Sequence, residues 1–234
     1  MVTLDVSGLV CMRGSRRTVN QVSIQTRSES VLCLLGPNGA GKTTTLKAIA
    51  GLFRPQSGEI RLNGELQSVD RTRRIALIPE VPIVYGLLTV WEHLEFVARS
   101  CRLRDGWRDT AVALLRSLDL YDRRGTLGHQ LSKGMRQKTL IAATLLSDAM
   151  VFLLDEPTLG LDLSAQAEIK NLIARIRSRA AVIVSTHQID FASVVSDEVV
   201  IMRAGSVVRR ASVLPESAQS AKTMFETLYA DAIA

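Results

Sequence analysis

The sequence predicts an α/β protein with a mostly parallel sheet, a small antiparallel β subdomain and an inserted helical subdomain. Apolar runs of strand length recur between helical patterns, at residues 31–35, 151–154, 181–184 and 199–202. Buried strands that alternate with amphipathic helices are typical of a parallel sheet with helices on its faces. No convincing strand pattern occurs from about residue 89 to residue 146, which predicts the helical insertion.

Helices and hairpins are predicted from local patterns. Two segments carry apolar residues at the i, i+3, i+4, i+7 spacing that puts them on one face of a helix. They are Leu46, Ile49, Ala50 and Phe53 in the first segment and Ile169, Leu172, Ile173 and Ile176 in the second. The stretches GEIRLNGEL and IMRAGSVV predict β-hairpins that turn at Asn63-Gly64 and at Ala204-Gly205.

The composition indicates a globular protein and limits what it binds. The chain has 234 residues, of which 47% are hydrophobic and 22% charged, as in one domain with a sizeable core. A net charge of +6 fits a solvated surface, a nucleic-acid partner or proximity to anionic lipid. Aromatic residues make up only 4%, which leaves little for stacking on single strands, so we expect no nucleic-acid partner.

The cysteines and the apolar stretches indicate a reducing, cytosolic compartment. Cys11, Cys33 and Cys101 are too widely spaced for a disulfide framework or a zinc cluster. The first residues lack the apolar core of a signal peptide. The most apolar stretch, residues 140–154, is too short and too interrupted to span a bilayer. We therefore expect the chain to reach a membrane only through a partner.

A glycine-rich stretch directly after the first apolar run predicts a phosphate-binding loop. GPNGAGKTT fits the G-x-x-x-x-G-K-[ST] pattern, in which backbone N–H groups surround a polyphosphate at a helix start. The lysine supplies a charge to the outer phosphates and the threonine after it a ligand for Mg²⁺. The predicted nucleotide-binding residues here are Gly36, Pro37, Asn38, Gly39, Ala40, Gly41, Lys42, Thr43 and Thr44.

A second motif, VFLLDEPT, places two carboxylates at the end of a predicted strand. In open α/β sheets, ligands bind at the carboxyl ends of the strands. Asp155 is suited to hold Mg²⁺ there, and Glu156 to orient or deprotonate an attacking water. Taken alone, the pair would read as an acidic helix cap, but together with the phosphate loop it indicates nucleotide hydrolysis.

Further motifs resemble those of one family of nucleotide hydrolases. QLSKGMRQK, residues 130–138, resembles the signature motif of ABC-family ATPases, which is usually written LSGGQ. TLGLD looks like the family's D-loop, and VSTHQ looks like its switch-histidine segment. Because these motifs follow in the family's order over nearly the whole chain, it is identified as a member of the ABC ATPases.

The resemblance implies an ABC ATPase fold with a P-loop NTPase core and a single domain over residues 1–234. The nucleotide-binding core would occupy about 1–80 and 148–214, and the helical subdomain about 81–147. The tail at 215–234 carries no chemistry that we can name.

The resemblance also implies the cofactors ATP and Mg²⁺ and two modules that face head to tail. Each ATP would lie between the phosphate loop of one module and the signature motif of the other. The implied catalytic residues are Glu156, His187 and Lys42. Ser132, Lys133, Gly134 and Asp162 would contact the nucleotide across the interface, and Thr43, Glu80 and Asp155 would hold the metal.

Three positions depart from the family pattern. Glu80 stands where the family usually has glutamine, which adds a charge near the metal and removes an amide donor. Arg13 stands where an aromatic residue usually stacks on adenine. Two interpretations of Arg13 stay open: its guanidinium stacks on the base, or it is an ordinary surface arginine. Val19 is a candidate for a neighbouring apolar contact with the nucleotide. Lys133 adds a positive charge to the signature motif.

The resulting hypothesis is an ATP-hydrolysing subunit of an ABC transporter at the cytoplasmic face of the cell membrane. It would power export through separate integral membrane permease subunits, together with a second ATPase module that is identical or different. Apolar residues at 81–91 are either the docking groove for the permease or ordinary core. An import ATPase and a mechanical or non-transport ABC ATPase are the alternatives.

Overall fold

The chain folds into two sheets with helices on both faces of the larger one. The computed structural model describes residues 1–67, 74–159, 163–212 and 218–233. The strands are β1 (Thr3–Arg13), β2 (Arg16–Arg27), β3 (Val31–Leu35), β4 (Ser57–Leu62), β5 (Glu65–Leu66), β6 (Ile75–Ile78), β7 (Val151–Asp155), β8 (Ala181–Thr186), β9 (Glu198–Arg203) and β10 (Ser206–Ser212).

The larger sheet has six strands in the order β10-β9-β3-β8-β7-β6. All neighbours pair in parallel except β9 and β10, which form an antiparallel hairpin at one edge. The strands predicted at residues 31–35, 151–154, 181–184 and 199–202 are all confirmed, and each belongs to this sheet. Because β3, β8, β7 and β6 run the same way, their carboxyl ends meet along one edge.

The smaller sheet is antiparallel, with the order β2-β1-β4-β5. The predicted turn between β4 and β5 is confirmed, with positive φ at both Asn63 and Gly64, as a tight hairpin requires. The turn at Ala204-Gly205 is also confirmed, with positive φ at both positions. It joins β9 to β10 in the larger sheet, however, so this hairpin extends the parallel core.

The helices are α1 (Lys42–Ile49), α2 (Val90–Ser100), α3 (Trp107–Ser117), α4 (Lys133–Leu146), α5 (Leu163–Arg177), α6 (Ile189–Val195) and α7 (Ala218–Ile233). Three of them, α2 to α4, lie between β6 and β7 in the chain, where the helical insertion was expected. A capping box between Thr89 and Glu92 fixes the start of α2. In the described ranges, no helix has both the length and the apolar character that crossing a membrane requires.

The core lies on both faces of the larger sheet. Every residue of β3, β7 and β8 is buried, which explains why these strands read as continuous apolar runs. The four predicted positions on α5 are at most 5% exposed. On α1 the helix ends at Ile49, so Phe53 lies beyond it and packs only partly buried against the core.

Candidate functional site

A cavity of about 530 Å³ opens at the carboxyl edge of the larger sheet. Segments that follow β3, β6 and β7 form its floor, and the tip of the β1–β2 hairpin forms one wall. The lining residues are Arg13, Arg16, Arg17, Thr18, Asn38, Gly39, Ala40, Gly41, Lys42, Thr43, Thr44, Glu80, Glu156, Ala204 and Gly205. Most of the predicted phosphate loop is thus gathered in one place with two of the predicted carboxylates.

The glycine-rich loop joins β3 to α1 in a conformation that glycine permits. Gly39 and Gly41 have φ of +81° and +102°, values that L side chains rarely adopt. Gly36 packs so closely under the carbonyl of Met202 that a Cβ there would collide with it. No side chain caps the N-terminus of α1 at Gly41, so the first N–H groups of this helix are free of a side-chain acceptor. This arrangement suits an anion at the helix start.

Lys42 is held inside the loop that it follows. Its side chain is 5% exposed, and Nζ donates to the carbonyl oxygens of Gly36 at 2.6 Å and Pro37 at 3.2 Å. Nζ also lies 3.2 Å from Oε1 of Glu156, which balances the buried charge. The ammonium is therefore fixed between the loop and the carboxylate, where it faces the cavity.

Asp155 and Thr43 meet although they are far apart in the chain. The hydroxyl of Thr43 donates to Oδ1 of Asp155 at 2.9 Å, and Ser185 Oγ donates to the same oxygen at 2.6 Å. The carboxylate is buried, and its second oxygen keeps its acceptor capacity. A hydroxyl and a carboxylate side by side are hard oxygen ligands of the kind that Mg²⁺ prefers, so these residues fit that ion.

Glu156 and His187 come together because β7 and β8 are parallel and in register. Asp155 pairs with Ser185 at the ends of these strands, which places the following residues side by side. His187 Nδ1 lies 3.0 Å from Oε2 of Glu156. The other carboxylate oxygen, Oε1, is buried in the cavity wall without a hydrogen-bond partner in the described structure, since Lys42 approaches it outside hydrogen-bond geometry. Glu156 lines the cavity, and this oxygen is its acceptor without a hydrogen bond.

The backbone of Glu156 is strained. Glu156 has φ of +43°, and its N–H donates to the carbonyl of Ser185 at 3.0 Å, which holds the unusual conformation.

Burial, with the negative charge of Glu156 as a lesser cause, raises the pKa of the Cys33 thiol far above its usual range. Cys33 is therefore a neutral core residue below the site.

The positions predicted to contact the base and the metal come from different elements of the fold. Glu80 is exposed and lines the cavity just after β6. Arg13 is exposed and lines it from the β1–β2 hairpin. The side chain of Val19 is fully buried in the core under the hairpin and does not reach the lining.

The signature residues lie away from this cavity. Ser132 is the N-cap of α4, and its Oγ accepts from the N–H of Met135 at 3.2 Å. Ser132, Lys133 and Gly134 are exposed, and none of them lines the cavity. The first turn of α4 contains no acidic residue. Asp162 lies outside the described residues.

Several residues at the site were given no role by the sequence analysis. Ser185, which orients Asp155, is a hydroxyl at the end of a buried strand, and only the register of β7 and β8 reveals its role. Arg16 and Arg17 line the cavity beside Arg13, but in sequence they are scattered surface cations. Gly205 is a hairpin turn residue whose N–H bonds the carbonyl of Ala40 in the phosphate loop at 3.0 Å.

Comparisons with known proteins agree with this geometry. The family model described as ABC transporter matches residues 19–159. The SkfA peptide export ATP-binding protein SkfE of Bacillus subtilis strain 168 is 33% identical over 196 residues, which is 82% of this chain and 81% of that protein.

Solved structures give the same result at the level of the fold. A structure titled as the ATP binding subunit of an ABC transporter superimposes with a TM-score of 0.86 and 30% identity, and the match covers 99% of both chains. The ADP conformation of MJ1267, an ATP-binding cassette of an ABC transporter, has a TM-score of 0.83 at 18% identity and covers 100% of this chain and 98% of its own.

Proposed function

Because this chain belongs to the ABC transporter family and is the ATPase subunit of a transporter, we propose that it powers export through a separate membrane permease. In this proposal, two copies of the chain act at the cytoplasmic face of the membrane and bind ATP between them. The core at about 1–80 and 148–214 holds the nucleotide, while the helical part at about 81–147 presents the signature motif.

The observation that carries the proposal is the convergence of Lys42, Asp155, Glu156 and His187 at one sheet edge. Three parallel strands, β3, β7 and β8, bring these side chains together, and two of them, Lys42 and Glu156, line the cavity. The loop of residues 36–44 binds the phosphates through its N–H groups, and Lys42 adds a charge to the outermost phosphate. These contacts orient the terminal phosphate toward Glu156.

Hydrolysis is assigned to Glu156 with His187 as its partner. Glu156 lines the cavity, and its Oε1, which has no hydrogen-bond partner in the described structure, is the atom assigned to accept a proton from the attacking water. The hydrogen bond of 3.0 Å to Nδ1 of His187 fixes the carboxylate, and the ring nitrogen on the far side is left for the γ-phosphate.

The metal site is assigned to Thr43 and Asp155, with Glu80 as a further ligand from the cavity lining. When bound there, Mg²⁺ would neutralise charge on the β- and γ-phosphates. Ser185 holds the Asp155 carboxylate in place through its hydrogen bond of 2.6 Å. Glu80 lines the same cavity, and we assign its carboxylate to the metal directly or through water.

The contact with the second copy is assigned to the exposed start of α4. Ser132 and Gly134 present a helix N-terminus to solvent, and the positive end of the helix dipole attracts an anion. Lys133 strengthens this attraction, since the first turn has no acidic residue to oppose it. A triphosphate held by the partner chain fits this surface, with Asp162 assigned to the same interface from the sequence pattern alone.

The surface that contacts the permease is assigned to an exposed apolar strip after β6. Val81, Ile83, Tyr85 and Leu87 are 66%, 72%, 57% and 84% exposed. Val84 within this strip and Leu88 directly after it are partly buried, so the strip has a core side and a solvent side. Apolar patches of this kind mark protein interaction sites. The peptide-export role in the name of the Bacillus subtilis relative supports export as the direction.

The test of the permease assignment is a pulldown from membranes. The tagged chain should recover an integral membrane protein, and Leu87→Asp should reduce this recovery at least about tenfold, since it puts a charge into an apolar contact. Leu52→Asp is the matched control, because Leu52 is 71% exposed in the turn after α1, far from the strip in sequence. This variant should leave recovery unchanged.

Two results would contradict the assignment. Recovery of ribosomes or DNA without any integral membrane protein would favour a non-transport ATPase. Equal recovery by the Leu87 and Leu52 variants would show that the permease binds a different surface.

A further inference from the structure

The tip of the β1–β2 hairpin forms a wall of the nucleotide cavity that consists of arginines. Arg13, Arg16 and Arg17 all line the cavity, and all are exposed. Arg13 and Arg16 are direct cross-strand partners, an arrangement in which like charges repel. A ligand rich in hydrogen-bond acceptors would offset this repulsion by accepting charge-assisted hydrogen bonds from both guanidinium groups.

Backbone contacts hold this wall against the phosphate loop. The N–H of Asn20 on β2 donates to the carbonyl of Gly205 at 2.7 Å, and the N–H of Gly205 donates to Ala40 at 3.0 Å. Gly41 and Gly205 approach the carbonyl of Thr18 so closely that a Cβ would lie 2.6 Å and 2.8 Å from it. The hairpin tip therefore stays at a fixed position relative to a nucleotide whose phosphates occupy the loop.

The guanidinium groups of Arg13 and Arg16 have no carboxylate partner in the described parts of the chain. Arg17 donates to Oδ1 of Asn20 at 3.0 Å, which uses one of its five donors. Among the described lining residues none is aromatic, so the cavity has no ring on which a base would stack. A base that lies against this wall therefore meets donor groups.

Donor groups distinguish the two purines. A guanidinium has N–H donors and no acceptor. Guanine presents two acceptors, O6 and N7, on one edge, whereas adenine presents N7 beside the N6 amino group, which is itself a donor. A bidentate arginine contact therefore fits guanine, and against adenine one of its two donors faces another donor.

We propose that the arginine wall of Arg13, Arg16 and Arg17 reads the base and makes this chain prefer guanine over adenine nucleotides. The inference rests on the proposed function, because it requires the loop of residues 36–44 to hold the triphosphate. ATP remains a substrate; the preference concerns how tightly each nucleotide is bound.

The test is competition of ATP, GTP and ITP against a fluorescent N-methylanthraniloyl ADP on the purified chain. GTP should displace the probe at a concentration about fivefold or more below that of ATP, as one bidentate contact predicts. ITP keeps O6 and N7 but lacks the N2 amino group of guanine, so it should match GTP.

Variants show whether the arginines cause the preference. Arg13→Gln combined with Arg16→Gln should bring the GTP and ATP affinities together, and Arg13→Tyr, which supplies an aromatic platform, should shift the ratio toward ATP. Arg27→Gln is the control, because Arg27 is exposed at the far end of β2 and does not line the cavity.

Three results would overturn the proposal, and they are distinguishable. ATP that binds as tightly as GTP to the unaltered chain excludes a guanine preference and leaves the ATPase assignment intact. Equal losses of ATP and GTP affinity in the arginine variants would mean that the charges act on the phosphates alone. Displacement of the probe by none of the three nucleotides would contradict the proposed function as well.

Discussion

Glu156→Gln should lower the rate of ATP hydrolysis about 100-fold or more while leaving ATP affinity nearly unchanged. The amide keeps the shape of the side chain but does not accept a proton from water. Glu156 lines the cavity, and its buried Oε1 has no hydrogen-bond partner in the described structure. Phosphate release under saturating ATP measures the rate, and calorimetric titration measures the affinity.

The control for this variant is Glu29→Gln, at an exposed loop position away from the cavity. It should hydrolyse ATP at the rate of the unaltered chain. If Glu156→Gln kept its full hydrolysis rate, the proton would have to go to another group, and the assignment of Glu156 would be wrong.

Lys42→Ala should weaken nucleotide binding itself, by roughly tenfold or more, as expected for the loss of hydrogen bonds from a charged donor. In the structure, Nζ of Lys42 is held by two carbonyls of the loop and lies 3.2 Å from Oε1 of Glu156. Removal of the ammonium leaves the phosphates without their buried cation and Glu156 without its charge partner. Titration with ATP should therefore show a raised dissociation constant.

Lys47→Ala is the matched control, since Lys47 lies on the same helix and is exposed. It should bind ATP as the unaltered chain does, and both variants should give cooperative thermal melts. An unchanged ATP affinity in the Lys42 variant would mean that the loop binds phosphate through its N–H groups alone.

The sequence predicted those features of the fold that depend on local pattern. The strands around residues 31–35 and 151–154 are buried on both faces, so they contain only apolar residues and are easily recognised. The loop of residues 36–44 is a contiguous motif whose glycine spacing follows from the backbone it must adopt. The Asn63-Gly64 turn likewise depends on two adjacent residues.

Features that depend on long-range register were not predictable in the same way. The antiparallel pairing of β9 and β10 was expected, but only the position of β9 next to β3 shows that this hairpin belongs to the larger sheet. Ser185 lies 30 residues from Asp155 and becomes its partner only through the parallel pairing of β7 and β8. The arginine wall likewise requires the hairpin tip to fold back over the phosphate loop.

The exposed segment after β6 illustrates an alternative that the sequence left open. Apolar residues there fit both a docking surface and ordinary core. Val81, Ile83 and Leu87 are exposed, which excludes the core for these three, while Val84 and Leu88 are partly buried. An irregular segment has no fixed period, so its sequence did not tell which side chains face the solvent.

In our proposal, ATP joins two copies of this chain through the face that carries Ser132. Sedimentation equilibrium tests this, by measuring the mass of the Glu156→Gln chain with and without ATP. We expect a monomer without nucleotide and a dimer with ATP. Adding Ser132→Asp should keep the protein monomeric, because aspartate still caps α4 but brings a carboxylate against the partner's triphosphate. Ser178→Asp, at an exposed position after α5, should leave the dimer intact. A Glu156→Gln chain that binds ATP and stays monomeric, or a dimer that tolerates Ser132→Asp, would contradict the account.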